Sequence, residues 1–537
     1  MTNRYQVCIL GSGFAGSILA WILARHGVNV VVVDRIVHPR FAIGESSTPL
    51  ADFLLRQIAE QWELPELDEL SSWGQWRRKH PELRCGLKRG FSYFQHKAHT
   101  EFSDDPQHSH SYLVAASASD ESSDTHWHRA DVDAWLLKQA RDAGAGVLEG
   151  CQVTSIEKTG NQWNLQLAPT NDRESQQPPT PRSLQCEFVV DASGPGGVLG
   201  SQLGLSRLDD SLLTRTGSIF GHFQNVSSMA EQLPSALRLD DPFPSDAAAQ
   251  HHLLPDCSRD SNDQIGHQPQ SGWIWMLRMQ DDITSVGLTV PMGILHGLTR
   301  PAAGRYFDDV VARYPTVHKL LNQAHLIAPT GTSGMAQLGF VPRISRLWAA
   351  AAGDGWCMLP STVGVIDPLH STGIAHGLSG VYRAGQLLLM QFGDAGLGTS
   401  SSTASDLWKQ YSQDVVREVH WIDEIVHLCY RALDISFDAF VSVSSLYFIA
   451  AVHSERNLIS QLETGHSGSI SDGFWLINNS QLRSIAAELG GQLSRVTADG
   501  DTEALTSWVR NAIAPWNDFG LLETGNQNRV HRSQTKA

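Results

Sequence analysis

The first residues suited to chemistry are the glycines of the GSGFAG motif at 11–16. Gly11, Gly13 and Gly16 have the spacing of a tight strand-to-helix turn whose backbone can approach a diphosphate closely. The helix that follows offers free N–H groups and a positive dipole end to that diphosphate. Asp34 closes the next strand, VNVVVVD, where a carboxylate can accept a hydrogen bond from a ribose 2′-hydroxyl. The predicted dinucleotide site comprises Gly11, Gly13, Phe14, Ala15, Gly16, Asp34 and Arg35.

Two further segments favour FAD over NAD as the dinucleotide. In EFVVDASGPGG, residues 187–197, a β-branched strand breaks at Asp191 into a glycine-rich turn. In HRADVDAWLLKQARDAGA, residues 128–145, Arg129 opens a helix. Both segments resemble secondary motifs of large FAD-binding folds of the aromatic-hydroxylase type. A single dinucleotide fingerprint argues against a second Rossmann domain for NADPH, although some hydroxylases bind NADPH without one.

Two tryptophans stand one residue apart in SGWIWMLRM, residues 271–279. Side chains alternate faces along a strand, so Trp273 and Trp275 are predicted to lie on the same face and form an aromatic wall. Large aromatic residues at such spacing most often pack into a core. The alternative is that the wall lines a reaction cavity.

The composition limits the classes of partner. The formal charge of −16 disfavours nucleic acid and anionic membrane surfaces, since both require basic patches. The chain has no uninterrupted apolar run of membrane-spanning length and no basic segment typical of an export signal. Seven scattered cysteines without a CxxC pair indicate reduced thiols in a cytoplasmic protein and suggest no metal site.

The chain is long enough for several folding units, and its pattern predicts an α/β fold. A discontinuous, Rossmann-type FAD-binding domain is predicted to consist of residues 1–50, 125–200 and 335–395. A sheet-rich substrate layer is predicted to cover it, built from residues 51–124 and 201–334. Helical periodicity follows, and predicts a C-terminal helical cap at 405–525 and a flexible tail at 526–537.

Several motifs occur in an order that resembles the flavin-dependent halogenases. They are GSGFAG, FAIGESSTP (41–49), CGLKRGFSYF (85–94), GWIW (272–275) and GVIDPLHSTG (364–373). GWIW is the most specific of them, because related hydroxylases generally lack it. The CGLKRGFSYF stretch and the FDAF…LYF segment (437–448) are most similar to the branch that acts on free phenolic rings, of the phloroglucinol type. The resemblance covers most of the first 400 residues.

This resemblance implies a reaction in which FAD reduced by a separate flavin reductase, oxygen and chloride or bromide give hypohalous acid. The acid then travels through a tunnel to a lysine, here Lys88, beside a small aromatic substrate. Trp273 and Trp275 would lie along the tunnel, and the backbone at Ser371, Thr372 and Gly373 would bind the halide. The implied flavin contacts are Gly44, Glu45 and Ser46 of a flexible strap, together with Arg129, Asp191 and Asp367.

The sequence departs from the family pattern at several positions. Leu277 and Arg278 replace an isoleucine and a proline, so that a freed N–H can extend the strand. Pro360 and Ser361 stand where many FAD proteins place a Gly-Asp pair, and Gly353-Asp354 is interpreted as a turn. Tryptophan halogenases carry a glutamate at the position of His370, which makes free tryptophan a less favoured substrate. With an ordinary pKa near 6.5, His370 is suited to act as a base or simply to pack.

The leading hypothesis is therefore an FADH2-dependent halogenase of an electron-rich, phenolic substrate. Partial burial of Lys88 would lower its pKa and favour halogen transfer to its nitrogen over hydrogen bonding by its ammonium. One alternative is an aromatic monooxygenase that uses FAD without halide. The other is a catalytically silent flavoprotein.

Overall fold

The computed structural model shows two large sheets with helices packed around them. Strands and helices are numbered along the chain. The described residues are 4–170, 183–259, 270–331, 334–393, 401–463, 474–496 and 502–531.

The first sheet contains the predicted βαβ unit. In it β1 pairs in parallel with β2 and with β10, and α1 (Phe14–Arg25) connects β1 to β2. The strand VVVVD of β2 is buried throughout, as expected where helices cover both faces of a parallel sheet. Its eight described strands are β1 (Arg4–Leu10), β2 (Val30–Asp34), β7 (Gly146–Glu149), β8 (Cys151–Thr159), β9 (Gln162–Pro169), β10 (Ser183–Asp191), β18 (Ala352–Gly353) and β19 (Trp356–Met358).

The second sheet carries the double-tryptophan strand, β13, at its centre between β12 and β14. The sheet joins distant parts of the chain, because β12 pairs in parallel with β4. Its nine described strands are β4 (Gly90–Gln95), β5 (Ser111–Ala115), β11 (Thr216–Gln224), β12 (Ala249–Leu254), β13 (Gly272–Arg278), β14 (Thr284–Pro291), β15 (His325–Ala328), β16 (Gly339–Val341) and β21 (Arg529–Val530).

Two short strand pairs hold segments that the sequence predicts to be functional. The antiparallel pair β3 (Cys85–Lys88) and β6 (Asp124–Trp127) presents Lys88 at the end of β3. The pair β17 (Arg346–Leu347) and β20 (Gly364–Val365) holds the start of the GVIDPLHSTG segment.

The described residues between Gly373 and Trp516 are mainly helical, so the predicted α/β class with a helical C-terminal region is confirmed. The helices after α1 are α2 (Pro49–Gln61), α3 (Pro65–Asp68), α4 (Trp73–Lys79), α5 (Arg129–Asp142), α6 (Val198–Gln202), α7 (Met292–Leu295), α8 (Arg300–Arg313), α9 (Pro315–Leu321), α10 (Pro360–Val363), α11 (Gly373–Phe392), α12 (Ser401–Leu433), α13 (Phe437–Glu463), α14 (Ser480–Leu493) and α15 (Thr502–Ile513). Within α13, Phe437–Ser460 is long and apolar enough to cross a membrane, but 78% of that window is buried inside the protein. This segment therefore packs as a core helix.

One prediction about the end of the chain is wrong. Residues 526–531 were expected to belong to a flexible tail, yet Arg529 and Val530 form β21 and pair with β5. Arg529 is buried and its Nε donates to Asp241 Oδ1 over 2.6 Å. Residues 532–537, the rest of the predicted tail, lie outside the described part of the chain.

Candidate active site

The glycine turn at 11–16 has the geometry that the motif predicts. Gly11 has a φ of +105°, and a Cβ there would lie 2.5 Å from the carbonyl oxygen of Ala192. A Cβ on Gly16 would collide with the Gly11 carbonyl oxygen. Both positions therefore require glycine. Helix α1 begins at Phe14, and its first N–H groups have no hydrogen-bond partner within the helix.

Two guanidinium groups flank this turn. A Cβ on Gly13 would lie 3.7 Å from an Nη2 of Arg129 and also 3.7 Å from Nη2 of Arg40. Arg129 is held by a two-bond pair with Asp133 at 2.8 Å, and its Nη1 donates to the carbonyls of Ile43 and Gly44. The Nε of Arg40 is buried and has no hydrogen-bond partner among the described residues. Helix N–H groups and two cations in one place suit a diphosphate.

Asp34 lies at the end of β2 as predicted, but its carboxylate already has partners. It accepts hydrogen bonds from the N–H and the hydroxyl of Ser12, at 2.8 and 2.6 Å, and Arg40 lies 3.6 Å away. Burial opposes ionisation of Asp34, yet Arg40 and the donors around it outweigh burial and lower its pKa. Arg35 is exposed. Arg35 was predicted to contact the dinucleotide and Arg40 was not. It is Arg40, however, that lies beside the glycine turn.

Asp191 closes β10 beside the same turn. Its carboxylate accepts from the N–H groups of Ser193 and Leu199, at 2.9 and 2.7 Å. Burial raises the pKa of Asp191 despite these donors. Asp191 therefore fixes the glycine-rich turn that follows β10.

The strap at 44–48 crosses from this nucleotide end to the second sheet. Its backbone pairs with β6, because Trp127 N–H donates to the Glu45 carbonyl at 2.6 Å and Ser47 N–H donates to Thr125 at 2.9 Å. The carboxylate of Glu45 accepts from His222 Nε2 at 2.5 Å and from Ser285 Oγ at 2.7 Å. The hydroxyl of Ser46 is buried and has no partner among the described side chains and backbone groups.

The tryptophan wall connects the strap to the GVIDPLHSTG loop. Trp273 and Trp275 are both buried, with ring centroids 5.9 Å apart. Trp275 Nε1 donates to Ser285 Oγ at 3.1 Å, which in turn donates to Glu45. Trp273 Nε1 donates to the Tyr430 hydroxyl at 2.8 Å, and that hydroxyl donates to Asp367 at 2.9 Å. Each indole nitrogen is therefore fixed by a partner that also holds a predicted flavin contact.

The loop itself ends in a pair of left-handed residues. His370 and Ser371 have φ values of 63° and 62°, a conformation that costs energy for residues other than glycine and that clusters at functional sites. Thr372 and Gly373 then begin α11, where the first backbone N–H groups have no partner within the helix. They border a cavity of about 50 Å3 that Asp367 and His376 also line. A cavity of this size holds a small ion or water.

Asp367 is a carboxylate on the border of that cavity. It accepts from the Leu369 N–H at 2.9 Å, from Tyr430, and from the hydroxyl of Thr216. Burial raises the pKa of Asp367 to about 6, against these donors. Three donors disperse its charge, which reduces its repulsion of an anion bound nearby.

Lys88 is fully buried, at the end of β3. Its ammonium donates to the carbonyl of Ser47 in the strap and lies 4.3 Å from the centre of the Phe91 ring. Burial lowers the pKa of Lys88 to about 8, while Asp124 and Asp52 oppose that shift. Near neutral pH a fraction of Lys88 is therefore the neutral amine, in an interior that excludes water.

His370 lies in an aromatic cage close to Lys88. The rings of Tyr447 and Phe448 lie 4.4 and 5.4 Å from it. Its Nδ1 meets the Tyr93 hydroxyl at 2.9 Å, and its Nε2 is buried without a partner among the described residues. Burial, with smaller contributions from His251 and Lys88, holds the pKa of His370 well below its usual value.

The cage decides which tautomer of His370 is favoured. Burial keeps the Tyr93 hydroxyl protonated by raising its pKa, and that hydroxyl is hydrogen-bonded to Nδ1. When the hydroxyl donates, the proton of the neutral imidazole lies on Nε2 and His370 presents an N–H donor. The predicted alternatives for His370, a base or a packing residue, both stay predictions.

Comparison with known proteins bears on this geometry. Residues 6–364 match the family described as FAD dependent oxidoreductase. The chain belongs to this family. FAD is its cofactor, and the glycine turn with Arg40 and Arg129 fits the FAD diphosphate. The orphaned Ser46 hydroxyl fits a polar group of the same cofactor.

The chain is also similar to named halogenases, and the resemblance predicted from the sequence is confirmed. It is 24% identical over 378 residues to tetracycline 7-halogenase of Kitasatospora aureofaciens, covering 69% of this chain and 61% of that protein. It is 26% identical over 381 residues to monodechloroaminopyrrolnitrin halogenase PrnC of Pseudomonas fluorescens, covering 70% and 59%. The chain thus spans about three-fifths of the length of these relatives.

A crystal structure of halogenase PltM in complex with phloroglucinol and FAD shares the fold. The TM-score is 0.78 with 22% identity, and the match covers 97% of this chain and 99% of that one. The likeness therefore extends through the helical C-terminal region, which the family match does not reach.

The departures of this FAD-dependent oxidoreductase from the pattern have structural explanations. β13 continues through Arg278, which pairs with Thr284, in agreement with the loss of a proline there. Gly353 ends β18, and Asp354, which is 96% exposed and forms an ion pair with Lys158, lies in the turn between β18 and β19. Pro360 begins α10.

Several residues of the site were missed by the sequence analysis. His222 and Ser285 reach Glu45 from β11 and β14, and Tyr430 reaches Asp367 from α12. These residues carry no local motif, and their partners are more than 60 positions away. Alternation along strands could have placed His222 and Ser285 on one face of a sheet, but it gives no strand order.

Proposed function

We propose that this protein is an FADH2-dependent halogenase that delivers hypohalous acid to Lys88 for electrophilic halogenation of a phenolic ring. The observation that carries the proposal is the burial of Lys88 together with its contact to the strap. Most lysines are solvated surface charges, whereas this one is buried beside the Phe91 ring, within the electrostatic influence of Asp124 and Asp52. A buried, partly neutral lysine suits transfer of an electrophile.

FAD, reduced by a separate flavin reductase, supplies the oxidising chemistry that converts chloride or bromide into hypohalous acid. The glycine turn, Arg40 and Arg129 would hold the diphosphate, and Ser46 would contact the cofactor from the strap. The N–H groups of Thr372 and Gly373, at the start of α11, would bind the halide.

The tryptophan wall supports selectivity between ions and organic substrates. Trp273 and Trp275 fill space with rigid rings whose N–H groups are engaged, so they do not yield easily to a larger molecule. We infer that they keep the aromatic substrate away from the flavin while small oxidants pass. This arrangement would suppress direct hydroxylation.

The cage at His370 supports a phenolic substrate. Its rings suit stacking with an aromatic compound, and the unpartnered Nε2–H can donate to a phenolate oxygen. A phenolate is electron-rich and needs little further activation of the oxidant. The phloroglucinol complex of halogenase PltM, which shares the fold, supports the same substrate class.

The test is an incubation of the protein with flavin reductase, NADH, oxygen and a panel of phenols and indoles, with bromide or chloride. We expect phenolic products whose mass and isotope pattern follow the halide supplied. A hydroxylated product that forms regardless of halide would instead identify a monooxygenase. Reoxidation of FADH2 with no product from any compound would identify a catalytically silent flavoprotein.

A further inference from the structure

Two buried carboxylates accompany Lys88, one from each side. Lys88 and Asp124 are directly opposed in the antiparallel β3–β6 pair, so their side chains share one face. Asp52 comes from the first turn of α2, and its Oδ1 accepts from the hydroxyl of Ser47. Ser47 also accepts the Lys88 ammonium at its carbonyl. One strap residue thus joins the lysine to the second carboxylate.

The charge of Lys88 is balanced by these two carboxylates, because the neighbouring imidazoles are neutral. Burial lowers the pKa of His126 and of His251 to about 3, and that of His370 well below its usual value. All three imidazoles are therefore neutral near pH 7. Asp52, Asp124 and Lys88 are exposed by 3%, 2% and 0%, so solvent screens their mutual interactions little.

Charge balance in such a site favours a single shared proton. Burial and the charge of Asp124 raise the pKa of Asp52 well above its usual value, against the Ser47 hydroxyl and the exposed Arg56, which lower it. Two ionised carboxylates beside one ammonium would leave a net negative charge in the interior, which is costly. With Asp52 protonated, the ammonium of Lys88 and the carboxylate of Asp124 balance.

We propose that Asp124 and Asp52 are positioning residues whose single negative charge, with one shared proton, stabilises the Lys88 ammonium and sets its ratio of ammonium to amine. The inference rests on the proposed function of Lys88. Asp124 is opposite Lys88 in the β3–β6 pair, and Asp52 is joined to it through Ser47.

The first test follows the titration of Lys88 in the full-length holoenzyme by lysine-selective NMR. The Lys88 signal is identified as the one that is absent from the spectrum of Lys88→Met. In Asp124→Asn the ammonium loses its opposing charge, so we expect the pKa of Lys88 to fall below its wild-type value of about 8. The ratio of ammonium to amine at a given pH should drop by roughly tenfold. Asp142→Asn, which removes a carboxylate from the surface of α5, is the matched control and should leave that titration unchanged.

An unchanged Lys88 titration in folded Asp124→Asn would overturn the proposal. The halogenation rate gives a second readout, since the limb of its pH profile that follows Lys88 should shift in the same direction. A merely structural role of Asp124 would lower stability and leave both profiles in place.

A second variant covers the possibility that Asp124→Asn does not fold. Asp52→Asn mimics the protonated acid and should fold. The infrared difference spectrum of wild type minus Asp52→Asn at pH 7 should show the carbonyl band of a protonated carboxyl, and its absence would refute the shared proton. Neither the NMR titration nor the infrared spectrum needs halide. A protein that shows the shifted Lys88 titration and the carboxyl band but gives no halogenated product would therefore refute the proposed function alone. A halogenating enzyme without them refutes only this inference.

Discussion

Glu45 of the strap is linked to Trp275 of the tryptophan wall by side-chain hydrogen bonds through Ser285. Ser285 stands at the middle of that link, because its hydroxyl accepts from Trp275 Nε1 and donates to Glu45 Oε2. All of these groups are buried. Buried polar networks of this kind fix orientation, since a group that loses its partner is left without water to replace it.

Ser285→Ala should therefore lower the free energy of unfolding by about 2 kcal/mol, because an indole N–H and a carboxylate oxygen each lose a partner. Urea denaturation measures the change. Ser484→Ala, which removes an exposed hydroxyl from α14, should change stability by less than about 0.5 kcal/mol. Equal stability of the two variants would show that the Ser285 link contributes nothing.

The sequence predicts the chemistry of single residues where a local pattern exists. The glycines, Asp34 and Lys88 all lie in recognisable motifs, and the structure places Lys88 in the interior. Arg40, His222 and Ser285 have no such pattern, because their roles arise only when separate elements meet. The hydrogen-bond partner of His370 Nδ1 is Tyr93, 277 positions away, and could not be predicted.

At the scale of elements, α11 positions the predicted halide site. Its N-terminus presents Thr372 and Gly373, and its flank packs closely against two other elements. A Cβ on Gly377 would lie 2.7 Å from the Phe14 ring of α1, and one on Gly380 would overlap the ring of Pro360. Glycines in α11 thus set how closely the predicted halide site approaches the nucleotide turn.

Gly380→Ala should displace α11, because the pyrrolidine ring of Pro360 cannot rotate away. We expect stability to fall by about 1–3 kcal/mol and the KM for halide to rise, as measured by urea denaturation and by halide titration of the reaction. Gly491→Ala is the matched control, since a Cβ there meets nothing within 4 Å. Within helix α14 it should raise stability by about 0.5–1 kcal/mol. An unaltered KM in Gly380→Ala would argue against a halide site at this helix.

At the scale of the whole molecule, the end of the chain closes the second sheet. Arg529 pairs with Asp241 at 2.6 Å, and both side chains are buried, at 3% and 7% exposure. It also donates to Ser111 of β5, the strand that β21 extends. On the inner side Tyr112 of β5 stacks on Tyr93, the partner of His370. The C-terminal strand therefore supports the wall of the cage.

Arg529→Met should lower the free energy of unfolding by about 3–5 kcal/mol, because it leaves Asp241 buried and unpaired by that cation. Arg456→Met provides the comparison, since Arg456 pairs with Asp518 at the same 2.6 Å with exposures of 31% and 49%. That exposed pair should contribute about 1 kcal/mol or less. Thermal or urea denaturation of both variants measures the difference, and equal losses would contradict the assigned burial.

The overall architecture was predictable where it follows from local order. The βαβ unit and the helical C-terminal region have short-range signals, and both are confirmed. The second sheet depends on pairings such as β12 with β4 and β21 with β5, for which alternation along a strand gives no information. The wrong prediction of a frayed end has the same origin, since the partner of Arg529 lies 288 positions away.

The most direct measurement is the fate of the oxidant in Lys88→Met, assayed with flavin reductase, NADH, bromide and a phenol that the wild type halogenates. The account predicts that bromination of the phenol falls by about a hundredfold or more, while FADH2 reoxidation continues and free hypobromous acid is captured by an added dye. Lys97→Met, which removes an exposed lysine from the following loop, should behave as wild type. Brominated phenol formed by Lys88→Met at the wild-type rate would contradict the account.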